Sequence, residues 1–324
     1  MRIVVLFCLL FSLPSDAADI LIIESYHAEN PWDKSYKAGI KTILGDQHQY
    51  YSFALDTKRL PGEMYQQQAD KAWQKYLELK PDLVFLADDN ALILLNKRLN
   101  ETSTPVVYLG INGNPRDYGI KHTSNITGVL ERPLFKRSLL MAQTMLPTPP
   151  PHKFLLLFDS SYTSNTAVAS IKKLNQDLTI GTNLVDVEQH SRFAQWQKSV
   201  STAKERGYDA VFVALYQTLL DDNQQVVDET HVEHWTHNNA TVPHFGFWQF
   251  SVGKEATLGG YVLDGNKHGR IAGGIAKQIL AGKMPAEIFP KMDTSGTYLF
   301  SESGLKRWQL TLPDKVREQA ELID

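Results

Sequence analysis

Short apolar runs alternate along most of this 324-residue chain with longer stretches in which apolar positions recur every three or four residues. The first spacing suits a buried strand and the second an amphipathic helix, so the alternation predicts βαβ units and a mostly parallel sheet. Strands are expected at residues 20–23, 50–55, 83–87 and 106–111, with helices at 35–44, 62–79 and 91–100 between them. Lys80-Pro81 marks the stop of the long helix, since the residue before proline is pushed out of helical geometry. After residues 125–129 the rhythm starts again: helices at 134–145, 166–178, 193–206 and 227–238, and strands at 154–158, 184–187, 210–215 and 244–248. A proline-dense loop at 147–152 interrupts this second round. A strand at 261–264, a helix at 265–280, a strand at 298–300 and a short helix follow. Two rounds of one rhythm predict two Rossmann-like lobes, each a mostly parallel sheet flanked by helices.

The N-terminus does not fit that rhythm. Met1-Arg2 precedes an apolar run over 3–13 broken only by Ser12, then Pro14, with Ser15 and Ala17 as small residues ahead of a cleavage point. This is the layout of a signal peptide ending at residue 18, and the run is too short for a permanent membrane span. The expected destination is the periplasm. The sole cysteine, Cys8, lies inside that segment, and Leu6-Phe7 before it lack the small residue of a lipoprotein signal. A mature chain without thiols excludes disulfides, a cysteine-ligated metal and a thiolate nucleophile. Roughly 300 residues remain, enough for two domains. A net charge of −3 without a Lys/Arg cluster excludes a nucleic-acid footprint.

Ligands of open parallel sheets sit outside the carboxyl ends of the strands, where loops converge and helix N-termini present free N–H groups. That rule selects Ser25, Tyr26 and His27 with nearby Trp32, then Asp88, Asp89 and Asn90, then Asn112. In the second round it selects Ser160, Ser161, Tyr162, Thr163 and Ser164, followed by Tyr216, Trp248 and Asp264. Aromatic faces and neutral hydrogen-bonding groups dominate this set, which suits a small polar or zwitterionic molecule. Helix capping is the competing reading for the hydroxyls and for the aspartate pair. Catalytic and metal constellations are weaker. His231, His234 and His237 drift around a helix without a second ligand cluster, and Asp88-Asp89 with Glu131 has no fixed carboxylate separation. Ser160-Ser161 lacks the nucleophile elbow of a serine hydrolase. The expectation is a binding protein, not an enzyme, with neither cofactor nor metal.

Several segments resemble a known family, the substrate-binding proteins of bacterial ABC transporters with the type I periplasmic-binding fold, in the branch associated with aromatic amino acids. Asn125-Ile126-Thr127-Gly128-Val129 is similar to the segment where that family's chain enters its second lobe. Pro81 to Leu92 resembles its third strand and binding loop, and Phe154 to Asn165 the second lobe's first strand and serine-bearing loop. Gly260 to Pro285 resembles the closing strand, helix and turn. Asn114-Pro115 departs from the Asp-Pro usual there, which leaves a ligand role at that turn unsupported. Ser25-Tyr26-His27 with Pro31-Trp32 also looks like the opening of extracytoplasmic sensor domains attached to histidine kinases and cyclic-dinucleotide synthases.

The resemblance implies a lobe of residues 19–128 plus 250–283 and a second of 129–249 plus 284–324, joined by a multi-crossing hinge. It implies a monomeric periplasmic protein that closes over an amino acid or similar solute and presents it to an ABC permease. A ligand-binding subunit of a membrane sensor is the alternative, and a secreted hydrolase a distant one.

Overall fold

The structure is a computed structural model that describes residues 17–121, 123–132, 134–174 and 179–324. The expected signal peptide, apart from its last two residues, therefore lies outside the described residues. Strand β1 (Asp19–Glu24), helix α1 (Pro31–Leu44), β2 (Gln49–Ala54), α2 (Tyr65–Leu79), β3 (Leu83–Ala87), α3 (Asp88–Asn100), β4 (Val106–Ile111) and β5 (Ile126–Glu131) form the first round. The second comprises α4 (Phe135–Gln143), β6 (Lys153–Asp159), α5 (Tyr162–Leu174), β7 (Thr179–Ile180), β8 (Asn183–His190), α6 (Phe193–Ser201), β9 (Ala210–Val213), α7 (Glu229–Asn239) and β10 (His244–Gly246). The chain ends with β11 (Gly259–Val262), α8 (Gly265–Leu280), β12 (Lys291–Asp293), β13 (Thr297–Ser301), α9 (Glu302–Trp308), α10 (Asp314–Arg317) and β14 (Glu321–Ile323).

Hydrogen bonding sorts the first two rounds into separate sheets, one in the order β2-β1-β3-β4-β5-β12 and one in the order β7-β8-β6-β9-β10. Apart from the antiparallel β7, every pairing within these two sheets is parallel. Every residue of β3 and β4 is buried, as expected for parallel strands covered by helices on both faces. The two sheets wind alike, reversing direction between β1 and β3 and again between β6 and β9. At such reversals neighbouring loops diverge and leave a crevice at the strand tips.

The sheets also shift the expected lobe boundaries. β5 stays paired with β4 and with β12 through Glu131, so the first crossing falls after residue 131 and not after 128. Residues 259–262 belong to the second half and not the first, because β11 pairs with β13 and Leu258 donates its N–H to the His244 carbonyl at 3.0 Å. Residues 291–293 belong to the first half and not the second, because β12 extends the sheet beside β5. Periodicity locates strands but carries no record of their partners, which is why these boundaries were displaced.

Helix α8 returns to the first half and lies against α1. A Cβ on Gly39 would stand 2.1 Å from the Asn266 carbonyl oxygen, and one on Gly269 2.0 Å from that of Tyr36. The two helices thus meet backbone to backbone, and only glycine fits at the contact. The seam places Trp32, at the start of α1, with its ring 5.6 Å from that of His268 on α8.

Candidate functional site

The tips of both sheets face one cleft of about 650 Å³. Its first wall carries Tyr26 after β1, Thr57, Lys58 and Arg59 after β2, and Asn90 in α3; its second carries Ser160 to Thr163 at the start of α5, with Thr218 and Gln225 after β9. A side chamber of about 330 Å³ continues from it, where His27 of the first half lies 4.0 Å from Glu229 of the second. The cleft narrows inward to a chamber of about 20 Å³ near the crossings, bounded by Tyr26, Trp32, Lys58, Asp88, Asn112, Glu131, Thr163, Trp248 and Phe250.

Charge is concentrated at that narrow end. Asp88 is 2 % exposed, adopts a left-handed backbone (φ 66°), and its Oδ2 has no hydrogen-bond partner. Burial, then the nearby charges of Asp33 and Glu131, push the Asp88 carboxyl well above the usual range. Glu131 accepts a 2.8 Å hydrogen bond from the Trp248 indole N–H, and its burial raises its pKa to about 7. Behind Asp88, Asp33 is fully buried with neither carboxylate oxygen hydrogen-bonded; burial, then the charge of Glu24, raises it too. The Lys58 ammonium rests 3.9 Å from the centre of the Tyr26 ring, a cation–π contact. His268 accepts from the Gly110 N–H at Nε2 (2.8 Å), and its Nδ1 lies 2.9 Å from a carboxylate oxygen of Asp293.

The turn after β4 is held from two sides. Asp89 accepts from the N–H groups of Asn112 (3.1 Å) and Gly113 (3.0 Å) and from the Tyr118 hydroxyl (2.7 Å). Arg132, at the first crossing, donates to the carbonyls of Ile111 and Asn112, both at 2.9 Å, and to that of Gly113 at 3.2 Å. Glu131 and Asn112 are thereby anchored at the mouth of the narrow chamber.

Tyr26, His27, Trp32, Asp88, Asn90, Asn112, Ser160, Ser161, Tyr162, Thr163 and Trp248 all line these connected spaces. Five expected site residues do not. Ser25 is buried between β1 and α3, donating to the Ala87 carbonyl and accepting from the Ala91 N–H, so it caps a helix from a neighbouring strand. Asp89 is spent on the β4 turn. Ser164 is fully buried and donates to Asp159, which also receives the Ser161 hydroxyl. Tyr216 points into the second half, where its hydroxyl donates to Glu233 on α7. Asp264 caps α8, accepting from the N–H groups of Asn266 and Lys267. The expected helix at 91–100 in fact begins at Asp88, and that at 166–178 at Tyr162, with residues 175–178 outside the described ones.

Thr57, Lys58, Arg59 and Phe250 were missed. The strand-tip rule, extended to the loop after β2, finds the first three. His231, His234 and His237 go separate ways: His231 packs on Phe193, His234 pairs with Glu255 at 3.0 Å, and His237 meets the Ala256 carbonyl at 3.0 Å.

No protein-family model matches the chain, and no curated protein matches it by sequence. Solved structures do. The ABC domain in complex with L-Trp from Streptococcus pneumonia is similar with a TM-score of 0.68 at 17% identity, over 95% of this chain and 100% of that one. A conserved domain protein from Vibrio cholerae matches with a TM-score of 0.68 at 14% identity, over 95% and 100% of the two chains. A substrate-binding protein with adhesive properties from Clostridium difficile, in its ligand-free, open structure, reaches 0.67 at 14% identity over 95% and 99%. At such identities the likeness establishes the fold, which is that of type I periplasmic binding proteins.

Proposed function

We propose that this chain is an exported, monomeric solute-binding protein that closes over a small polar molecule of the amino-acid type and presents it to the permease of an ABC transporter, catalysing no reaction. The observation that carries this reading is the 650 Å³ cleft whose two walls come from different sheets. A ligand bridging Asn90 or Lys58 on one wall and Thr163 on the other makes both sets of contacts only when the halves are together. That difference in binding free energy is what drives closure, and the closed form is what a membrane partner reads. The moving bodies are residues 19–131 with 265–293, and residues 135–262 with 297–324.

Chemistry and size support the ligand class. The cleft volume falls within the ordinary range for small-molecule sites. Ser160 to Thr163 bring the amide end of α5 to the cleft, opposite Lys58 and Arg59, a setting that favours a carboxylate. The bound L-Trp named for the pneumococcal structure is a solute of this class. The signal-peptide layout of residues 1–18 supports placement outside the cytoplasm.

A thermal-shift screen of L-amino acids, sugars and nucleosides tests the reading. A true ligand raises the melting temperature with the logarithm of its concentration and shrinks the radius of gyration in solution scattering. Thr163→Ala and Asn90→Ala, on opposite walls, each weaken it. A ligand that binds without compaction, or no ligand in any of the three sets, refutes the proposal.

A further inference from the structure

Of the side-chain contacts that cross between the halves, Glu131 with Trp248 borders the narrow chamber and His27 with Glu229 the side chamber, so both share their space with a solute. A further contact is built differently. The ring of Tyr118, in the turn after β4, lies 6.4 Å from that of Tyr162, the first residue of α5, with the planes tilted by 50°. That separation is in the range of an attractive aromatic pair. Tyr118 itself bounds neither the cleft nor its two chambers.

The first half fixes where Tyr118 stands. The N–H groups of Tyr118 and Ile120 both donate to the Pro115 carbonyl, at 3.1 and 3.0 Å, and wind the turn beneath the ring. The hydroxyl donates to Asp89 at 2.7 Å and lies so close over Gly113 that a Cβ there would stand 1.7 Å from the phenol oxygen. Only glycine leaves the hydroxyl that position. A phenol has one proton and two lone pairs, and this proton is committed to Asp89, so the oxygen is left as an acceptor. Donation to a carboxylate makes it a better one. Across the gap, Tyr162 is 47 % exposed, so its ring reaches out of the second half. Burial, then the Asp89 charge, then the Tyr162 hydroxyl raise the Tyr118 phenol above its ordinary range, so the two hydroxyls are within reach of one another.

Resting on the solute-binding reading, we infer that Tyr118 is a latch: in the closed form the Tyr162 hydroxyl donates to Tyr118, and this bond, made without the solute, holds the halves together and lengthens the stay of whatever the cleft contains. The bond exists only when the halves meet, so it favours the closed form by its full worth. Asp89 and Arg132 grip the turn after β4, so the acceptor stays with the first half when α5 withdraws. Tyr118 thus acts through closure, as a positioning residue.

Single-molecule fluorescence transfer between the halves tests the latch. The chain expected to remain after residue 18 has no cysteine, so Lys71→Cys on α2 and Lys198→Cys on α6, both at exposed positions, carry the two dyes. Without added solute, the ratio of the closed, high-transfer population to the open one should fall about five- to tenfold in Tyr162→Phe, the ordinary worth of one hydrogen bond. That variant leaves Asp89 and the β4 turn untouched, so its effect does not come from a disturbed fold. Tyr118→Phe should produce the same fall and the double variant no further one, because all three lack the same bond. A ratio unmoved by Tyr162→Phe, or a double variant that falls by the product of the two single effects, overturns the latch. So does a wild-type chain with no closed population of its own. If its halves still draw together on addition of an L-amino acid, a sugar or a nucleoside, the solute-binding reading stands; halves that keep one separation whatever is added remove that reading too.

Discussion

Replacing Glu131 with glutamine keeps an oxygen for the Trp248 indole to donate to, keeps the volume, and removes a titration. In the folded protein the Glu131 carboxyl holds its proton up to about 7, against an ordinary value of 4.5, because it is buried. Below about pH 4.5 the folded and unfolded chains both carry that proton, so the residue contributes no pH dependence. Between about 4.5 and about 7 the unfolded chain has released it while the folded chain has not, so folded stability falls as pH rises. At 1.36 kcal/mol per unit, the displacement of roughly 2.5 units is worth about 3 kcal/mol at pH 8. The neighbouring acids Asp33 and Asp88 also titrate upward, so the wild-type curve alone is composite; the difference between wild type and variant isolates Glu131. Urea unfolding of the ligand-free protein at half-unit intervals from pH 5 to pH 8 measures it. Near pH 5 the two proteins should unfold at similar concentrations, since a protonated glutamate and a glutamine are close isosteres. By pH 8 the variant should be the more stable by about 3 kcal/mol. Parallel curves across the whole range would refute the account of a buried, proton-holding glutamate.

Other substitutions separate scaffold from site. Asp89→Ala strands the N–H groups of Asn112 and Gly113 and the Tyr118 hydroxyl, and should cost about 3 kcal/mol in denaturant unfolding. Ser25→Ala, which uncaps the Ala91 N–H, should cost about 1–2 kcal/mol while leaving the affinity of any ligand found by thermal shift within about twofold. Gly269→Ala forces a methyl against the Tyr36 carbonyl and should lower the melting temperature by about 5–10 °C; a neutral result would contradict the contact between α1 and α8. Arg132→Ala leaves the carbonyls after β4 without their shared donor, and should destabilise by about 2–3 kcal/mol in the same unfolding assay.

The alternation of strand and helix was legible because burial on both faces leaves parallel strands almost wholly apolar, as in Leu83 to Ala87. Sheet order was not, since Val129 to Glu131 and Lys291 to Asp293 meet through backbone hydrogen bonds that any side chain permits. At the site, the strand-tip rule reached Tyr26, Asp88 and Ser160 to Thr163. It failed to separate Asp88 from Asp89, because the helix starts at the first of them and successive residues on a helix point in different directions. One turns to the cleft and the other to the β4 turn. Lys58 escaped notice although the parallel register of β1 and β2, with Glu24 beside Ala54, brings it out next to Tyr26. Adjacency across a sheet is a property of pairing, and spacing along one strand does not encode it. The buried charge of Glu131 was visible only as a carboxylate of unknown company until Trp248 was seen to reach it.

Because the chain visits each half twice, the order of biosynthesis imposes its own schedule. The apolar side of α1, with Trp32, Tyr36, Ile40 and Leu44, is completed by α8, whose residues leave the ribosome only after the bulk of the other half has been made. The nascent first half therefore carries an open flank through most of translation, and cannot settle early into a finished body. The export proposed above is served by such a delay, since a helix made late closes the first-made layer.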